Sequence, residues 1–286
     1  MLNPVVTVVI PVYNGERHLR IALDSVVNQT YKNLEIFVVD NASEDTTVEI
    51  CESYTDPRLS LIRITENIGI VPVFNRCLLL GTGKYLKLLC HDDSLDLECI
   101  RRQVDVFELF TPSRISLVTC QKRLVDVEGR SLNVRIGFRG ISGREFRVIS
   151  GRKVIRRTCF MGRNVIGESS SVLIDRKSLG DKKFSDHVAT MELELWVELL
   201  KVGDCGVVGL PLVNYRIWGS SISTRIASSQ YLEFRRFIRA TRDDPDANIL
   251  LFHKIFGLVS AWVVVKARVL FTKYAIRRTS KDSSRN

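Results

Sequence analysis

The sequence predicts an α/β protein: one open, mostly parallel sheet flanked by helices, with a helical C-terminal extension. Three observations predict it. Short apolar, β-branched runs alternate with amphipathic stretches of about a dozen residues, the pattern of repeated strand–helix–strand units. The apolar runs are nearly continuous, as expected of strands covered on both faces. Each of the first four runs also stops at polar residues, at the edge where open α/β sheets hold ligands.

The elements follow in order. Residues 5–10 form a β-branched run stopped by Pro11, and Asn14-Gly15 turn the chain into a helix marked by Leu19, Leu23, Val26 and Val27. A second strand over residues 34–39 ends at Asp40-Asn41 and leads to a helix over 46–54. The third, residues 59–64, ends before Asn67-Ile68-Gly69, and a helix through Phe74 and Leu78 follows. After Gly81-Thr82-Gly83, residues 85–89 make a buried strand that ends in His91-Asp92-Asp93. Leu97, Ile100, Val104 and Phe107 fit a helix, 115–120 a strand, and 122–130 a hairpin with its tip at Glu128-Gly129. Residues 172–174 read as another strand. Leu195, Trp196, Leu199 and Leu200 lie at helical spacing ahead of the capping Gly203. From Tyr231, arginines 235, 236, 239 and 242 stud a helix that Asp243-Asp244-Pro245-Asp246 breaks, and residues 249–271 are largely apolar.

Composition bounds the function. A chain of 286 residues with 45% hydrophobic and 26% charged residues can bury a sizeable core. Its net charge of +10 is concentrated: residues 121–163 hold 12 Lys+Arg against 3 Asp+Glu, and residues 225–286 hold 13 against 5. Such blocks suit a phosphorylated substrate or an anionic membrane, and no nucleic-acid-binding signature accompanies them. Seven scattered cysteines without a Cys-x-x-Cys pair argue against structural zinc or a disulfide framework. Thiols of this kind and an N-terminus unlike a signal peptide suggest the cytoplasm. The uninterrupted apolar core of the last segment, residues 255–265, falls short of the roughly 20 residues a spanning helix needs. Flanked by Lys254, Lys266 and Arg268, it reads either as an interfacial helix on the inner face of the cell membrane or as a helix packed on the domain.

Asp92 and Asp93 are the first chemical signal. Two adjacent carboxylates at a strand end either hold a hard divalent ion, Mg²⁺ or Mn²⁺, or reach solvent as an ordinary loop and helix cap. A dinucleotide-dependent oxidoreductase is excluded, because Pro11-Val12-Tyr13-Asn14-Gly15 has one glycine where three are needed, and no Walker loop is present. If the protein binds a nucleotide, side chains and a metal must hold it.

Four motifs stand at the ends of successive strands: Val8-Val9-Ile10-Pro11-Val12-Tyr13-Asn14, Val38-Val39-Asp40-Asn41-Ala42-Ser43, Asn67-Ile68-Gly69 with Asn75, and Gly83-Lys84-Tyr85 leading to His91-Asp92-Asp93. In that order they resemble the inverting family 2 glycosyltransferases of GT-A fold, and the likeness extends loosely to about residue 224. The resemblance implies that Pro11 and Tyr13 lie along the nucleotide base and that Asp40 accepts from a uracil or thymine N–H. Asn67 and Gly69 would shape the wall near ribose and diphosphate. Asp93, with Asp92, would bind the divalent metal and through it the diphosphate. Cys90 stands where many relatives carry another acid, and His91 is either a ligand or a hydrogen-bonded histidine.

Glu192 occupies the position of the usual aspartate general base, with Glu194 as rival. Residues 167–170 resemble an acceptor-side loop. Arg216 would neutralise diphosphate charge or form a structural ion pair, and Trp218 replaces a frequent histidine. The implied reaction is transfer of a sugar from a UDP- or dTDP-type donor to a saccharide or lipid-linked saccharide acceptor, with inversion, in envelope polysaccharide or glycolipid synthesis. The departures at 90, 192 and 218 leave a non-catalytic binding or scaffold protein on the same fold as the alternative. The expected domains are 1–224, divided into a nucleotide-sugar half (1–120) and an acceptor half (121–224), and a basic extension over 225–286.

Overall fold

A computed structural model describes residues 4–110, 114–138, 146–218, 230–242, 249, 251–253 and 255–267. The first β-branched run becomes β1 (Val6–Val12), buried along its whole length. It pairs in parallel with β2 (Leu34–Asp40) on one side and β4 (Tyr85–Leu88) on the other, and β2 pairs in parallel with β3 (Leu59–Arg63). Parallel neighbours require crossovers, which α1 (Leu19–Val27), α2 (Thr47–Glu52) and α3 (Ile70–Leu78) provide. The C-terminal ends of these strands therefore gather Val12, Asp40 and the residues after Leu88 along one edge.

Beyond β4 the sheet is mixed. It runs in the order β3-β2-β1-β4-β9-β6-β10-β5, with β7 added to β6 and β8 to β10. Here β5 is Ser94–Leu95, β6 Ile115–Val125, β7 Ser131–Ile136, β8 Phe146–Ile149, β9 Val172–Asp175 and β10 Asp204–Arg216. The mostly parallel expectation holds for the first four strands. In the second half, the hairpin turn at Asp126–Arg130 joins β6 and β7, and β9 enters antiparallel between β4 and β6.

The two faces of the sheet bury separate cores, because successive side chains of a strand alternate between faces. Val8 and Ile10 join the cluster under α1 and α4 (Cys99–Leu109). Val9 and Leu88 join the other, with α3, α5 (Gly151–Met161) and α7 (Met191–Val202), centred on the fully buried Trp196. The helix α6 (Arg176–Leu179) is a single turn after β9. Where α5 begins, only glycine fits: a Cβ on Gly151 would lie 2.1 Å from the Leu200 carbonyl oxygen.

Phe234, Phe237 and Ile238 of α8 (Gln230–Arg242), with Ile249 and Ala261, are buried in this second core. Residues 255–267 are helical. They pack against α5 so closely that a Cβ on Gly257 would meet the Cys159 carbonyl at 1.9 Å. The packed-helix reading of this segment describes one face, which lies on the domain, while Ile255, Phe256, Val259, Trp262 and Val263 stay exposed. Among the described residues, no helix is long and apolar enough to cross a membrane. The helix-breaking stretch 243–246, residues 219–223, Lys254 and Arg268 lie outside the described residues.

Candidate active site

The chain leaves β4 at Leu88 and turns sharply, with Asp93 N donating to Cys90 O at 3.0 Å. This turn tucks Asp93 inward, 2% exposed, and brings ligand atoms of Cys90, Asp92 and Asp93 within 4.8 Å of one another. Both oxygens of Asp93 are oriented by donors: Arg216 N on Oδ1 at 3.0 Å and Ser170 Oγ on Oδ2 at 2.6 Å. Burial first, and then the charge of Asp92, push the Asp93 carboxyl up to about 7. A divalent cation would relieve that penalty, since it favours the charged form of both acids. Asp92 Oδ2 accepts from Trp218 Nε1 at 2.9 Å, and Oδ1 has no hydrogen bond among the described residues. The carboxylate oxygens of buried Asp93 and half-buried Asp92, oriented by these donors, fit a hard divalent ion. Cys90 belongs to the same group. Burial and the charges of Asp93, Asp92 and Glu192 hold its thiol well above the usual range, so it stands beside the carboxylates as a neutral group.

Arg216 ends β10 beside the carboxylate turn. It is 3% exposed, and its guanidinium donates to Asp92 O (2.9 Å), Asp126 O (3.0 Å) and Val127 O (2.9 Å). These backbone acceptors make it a brace between the Asp92–Asp93 turn and the β6–β7 hairpin, with the charges of Asp92, Asp93 and Asp126 close by. Trp218 uses its indole N–H on Asp92 and its ring edge on His18, 5.2 Å away. Burial first, and then the charges of Arg216 and Arg17, lower His18 to about 4, so this ring is neutral near pH 7.

The residues expected on the nucleotide side share the same sheet edge. Tyr13 follows β1 and is 42% exposed, which leaves its aromatic ring accessible at this sheet edge. Pro11 is buried within β1 opposite Val39. Asp40 ends β2 nearly inaccessible, its Oδ1 accepting from Ser43 N at 3.2 Å. Asn67 Oδ1 accepts from Asn41 Nδ2 (3.0 Å) and Gly69 N (2.9 Å), which sets Gly69 at φ 85°, the left-handed region where glycine carries no penalty.

Glu192 lies in the first turn of α7, where the helix dipole favours a carboxylate. Its Oε1 accepts from Ser169 N at 2.7 Å and Ser169 Oγ at 2.5 Å. Ser169 is adjacent to Ser170, the partner of Asp93, so one turn joins the candidate base to the carboxylate pair. Glu194, the rival, is engaged elsewhere by Thr190 Oγ1 (2.7 Å), His187 (3.2 Å) and Arg236 (3.0 Å). Beside Glu192 opens a cavity of about 430 Å³ between the β6–β7 hairpin, α7, α8 and the last helical residues. Leu124, Val134, Ile166, Phe234, Val264 and Val265 give it apolar walls, and the ion pair Lys122–Glu168 stands on its lining.

With this arrangement established, comparison with known proteins is decisive. The family model described as glycosyl transferase family 2 matches residues 7–179. The chain belongs to glycosyl transferase family 2. Among its relatives in this family, the putative teichuronic acid biosynthesis glycosyltransferase TuaG of Bacillus subtilis is 24% identical over 225 residues, covering 78% of this chain and 82% of TuaG. The uncharacterized glycosyltransferase RP339 of Rickettsia prowazekii is 37% identical over 130 residues, 46% of this chain and 40% of that protein. The chain thus spans well under two thirds of the length of that relative. Among solved structures, residues 1–349 of Staphylococcus aureus TarS with UDP-GlcNAc superimpose at a TM-score of 0.67 and 17% identity, covering 90% of this chain and 71% of that one. The mannosyltransferase PcManGT of Pyrobaculum calidifontis, with GDP-Man and Mn²⁺, gives 0.64 and 17%, covering 98% and 76%. Both likenesses concern the fold, which is GT-A.

Within this family 2 domain, sequence reasoning singled out the 167–170 loop, the carboxylates and Glu192, but missed what connects them. Lys87 is fully buried in β4, its Nζ donating to Gln103 Oε1 (3.0 Å), Ser170 O (2.8 Å) and Val172 O (3.4 Å). The available signal was a lone lysine within an apolar strand.

Proposed function

We propose that this family 2 chain transfers a sugar from a nucleoside diphosphate sugar to an acceptor hydroxyl with inversion, using one proton acceptor and a divalent cation. One observation carries the reading: Asp93 and Glu192, 99 residues apart in sequence, hydrogen-bond to adjacent serines of one turn. An inverting displacement needs that juxtaposition, with leaving-group stabilisation on one side of the reacting carbon and a base on the other. Glu192 takes the acceptor proton as the hydroxyl attacks. Asp93, with Asp92, holds the cation, which when bound supplies Lewis-acid stabilisation to the diphosphate. Tyr13 offers the base a stacking face, Asp40 an acceptor for a uracil or thymine N–H, and Asn67 and Gly69 a wall for ribose and diphosphate. Arg216 supports this site by bracing the Asp92–Asp93 turn. The donor class draws support from the UDP-GlcNAc and GDP-Man bound by proteins of the same fold.

The apolar cavity beside Glu192, with the exposed apolar face of residues 255–263, favours an acceptor carrying a hydrocarbon, a lipid-linked saccharide handled at a membrane surface in envelope polysaccharide or glycolipid synthesis. A panel of nucleotide sugars with Mn²⁺ or Mg²⁺ tests the donor reading through thermal stabilisation and donor hydrolysis. Glu192→Gln is expected to lower kcat by roughly 10²–10⁴-fold while leaving donor and Mn²⁺ affinity intact. Unchanged turnover removes Glu192 from its role, and no stabilisation by any nucleotide would favour a non-catalytic protein.

A further inference from the structure

The turn between the two halves of the site is held at nearly every carbonyl. Thr119 Oγ1 donates to Ile166 O (2.5 Å), and Asn164 Nδ2 (2.9 Å) and Trp196 Nε1 (3.0 Å) donate to Gly167 O. The Lys87 ammonium takes Ser170 O and Val172 O, and Gln103 Nε2 takes Ser171 O at 2.8 Å. These donors come from β4, α4, β6 and α7, so the segment 166–172 is pinned to both halves of the domain. Ser169–Ser171 itself is a single 3-10 turn, fully buried. With three residues per turn, successive side chains point about 120° apart, and adjacent serines can address different groups. Ser169 Oγ reaches Glu192 Oε1 at 2.5 Å, and Ser170 Oγ reaches Asp93 Oδ2 at 2.6 Å.

We propose that Ser169 and Ser170 are positioning residues: the pinned turn is a rigid strut that fixes the acceptor-side base and the cation-binding carboxylate relative to each other. This rests on the roles given above to Glu192 and Asp93. A carboxylate only accepts hydrogen bonds, so its orientation must come from donors. Hydroxyl-to-carboxylate bonds this short are charge-assisted and directional. A misplacement of about 1 Å costs on the order of 10²-fold in rate, which is the scale of what such a strut protects. An ordinary polar turn before a strand would spend its hydroxyls locally; these two bridge 23 and 77 residues of sequence.

The test is a split between two measurements on the full chain: Mn²⁺ affinity in the presence of nucleotide, read by electron paramagnetic resonance, and kcat for donor turnover. Ser170→Ala is expected to weaken Mn²⁺ binding at least about tenfold, the worth of one hydrogen bond to a charged group. Ser169→Ala is expected to hold Mn²⁺ affinity and donor KM within about twofold and to lower kcat at least about tenfold. Should an alanine variant fail to fold, Ser169→Cys or Ser170→Cys keeps the volume with a weaker donor and carries the same comparison. Equal losses in both quantities, or no loss in either, overturn the strut. A wild-type chain with no Mn²⁺-dependent nucleotide binding overturns the functional reading and the strut with it, whereas normal binding without the split overturns the strut alone.

Discussion

Asp93 shows how a single buried side chain couples stability to function. Its carboxyl is displaced upward from 3.8 to about 7, by burial first and by Asp92 second. The sign follows from linkage: with a raised folded-state value, the folded protein keeps a proton that the unfolded chain has already released. The metal-free protein therefore loses stability as pH rises from about 4 through 7, then levels off. A displacement of this size corresponds to a loss on the order of a few kcal/mol. Asp93→Asn, which cannot ionise, is expected to melt above the metal-free wild type at pH 8, by a margin that shrinks at pH 5. Mn²⁺ should close the margin at pH 8 by stabilising only the wild type. Melting curves at the two pH values with equal margins would dismiss this account. The pair stood out in the sequence as adjacent acids ending an apolar strand, with a cation site and a solvated loop both open, whereas Glu192 was singled out only through the family resemblance, since by pattern alone it is an ordinary acidic residue in the first turn of a helix. The role of Arg216 was not legible: an arginine near a diphosphate site and one satisfied by Asp126 and Val127 carbonyls look the same until the hairpin is folded against it.

At the scale of elements, β4 carries the least expected feature. Its side chains are all buried, including Lys87, which faces Gln103 and the carbonyls of the serine turn, with no carboxylate partner among the described residues. An isolated buried ammonium is costly unless its three protons are satisfied, and here each has an acceptor. Lys87→Met keeps the length of the stem but strands those three acceptors in the core. Each unsatisfied group costs about 1–3 kcal/mol, partly offset by removing a buried charge. A net loss of about 2 kcal/mol in denaturant unfolding, with unchanged m-value, is expected. Mn²⁺ affinity should fall with it, because the carbonyl clamp under Ser170 is gone. A variant as stable as wild type would show that the lysine is passive. Strand periodicity located β4 but not this contact, because Lys87 and Ser170 are 83 residues apart and nothing local in either segment refers to the other. For the same reason the mixed pairing of β9 and β6 was not readable, whereas the parallel β3-β2-β1-β4 half was dictated by its crossover helices.

For the whole molecule, charge and apolar surface segregate together. Phe160 of α5 stacks on Phe256 at 5.6 Å and meets Phe252 at 6.2 Å edge-on, joining two elements in one exposed aromatic patch. Ile255, Val259, Trp262 and Val263 extend it, while Arg152, Lys153 and Lys266 lie exposed on the same two helical stretches. Apolar side chains that insert shallowly, with cations at headgroup level, match an anionic bilayer surface. The 430 Å³ cavity uses Val264 and Val265 of the same segment as part of its wall, so under the proposed function a membrane-held acceptor would enter beside this patch. Co-sedimentation with vesicles is therefore expected to be stronger for anionic than for neutral bilayers and to weaken at high salt, since surface attraction is screened within about 10 Å at 0.1 M. The double variant Phe256→Asp/Trp262→Asp should lower binding at least about tenfold, because each aromatic removed from contact forfeits about 1.5–3 kcal/mol at full burial, while Mn²⁺-dependent nucleotide affinity stays unchanged. Equal binding to both kinds of vesicle, or a variant that binds as well as wild type, would assign the patch to contact with protein instead.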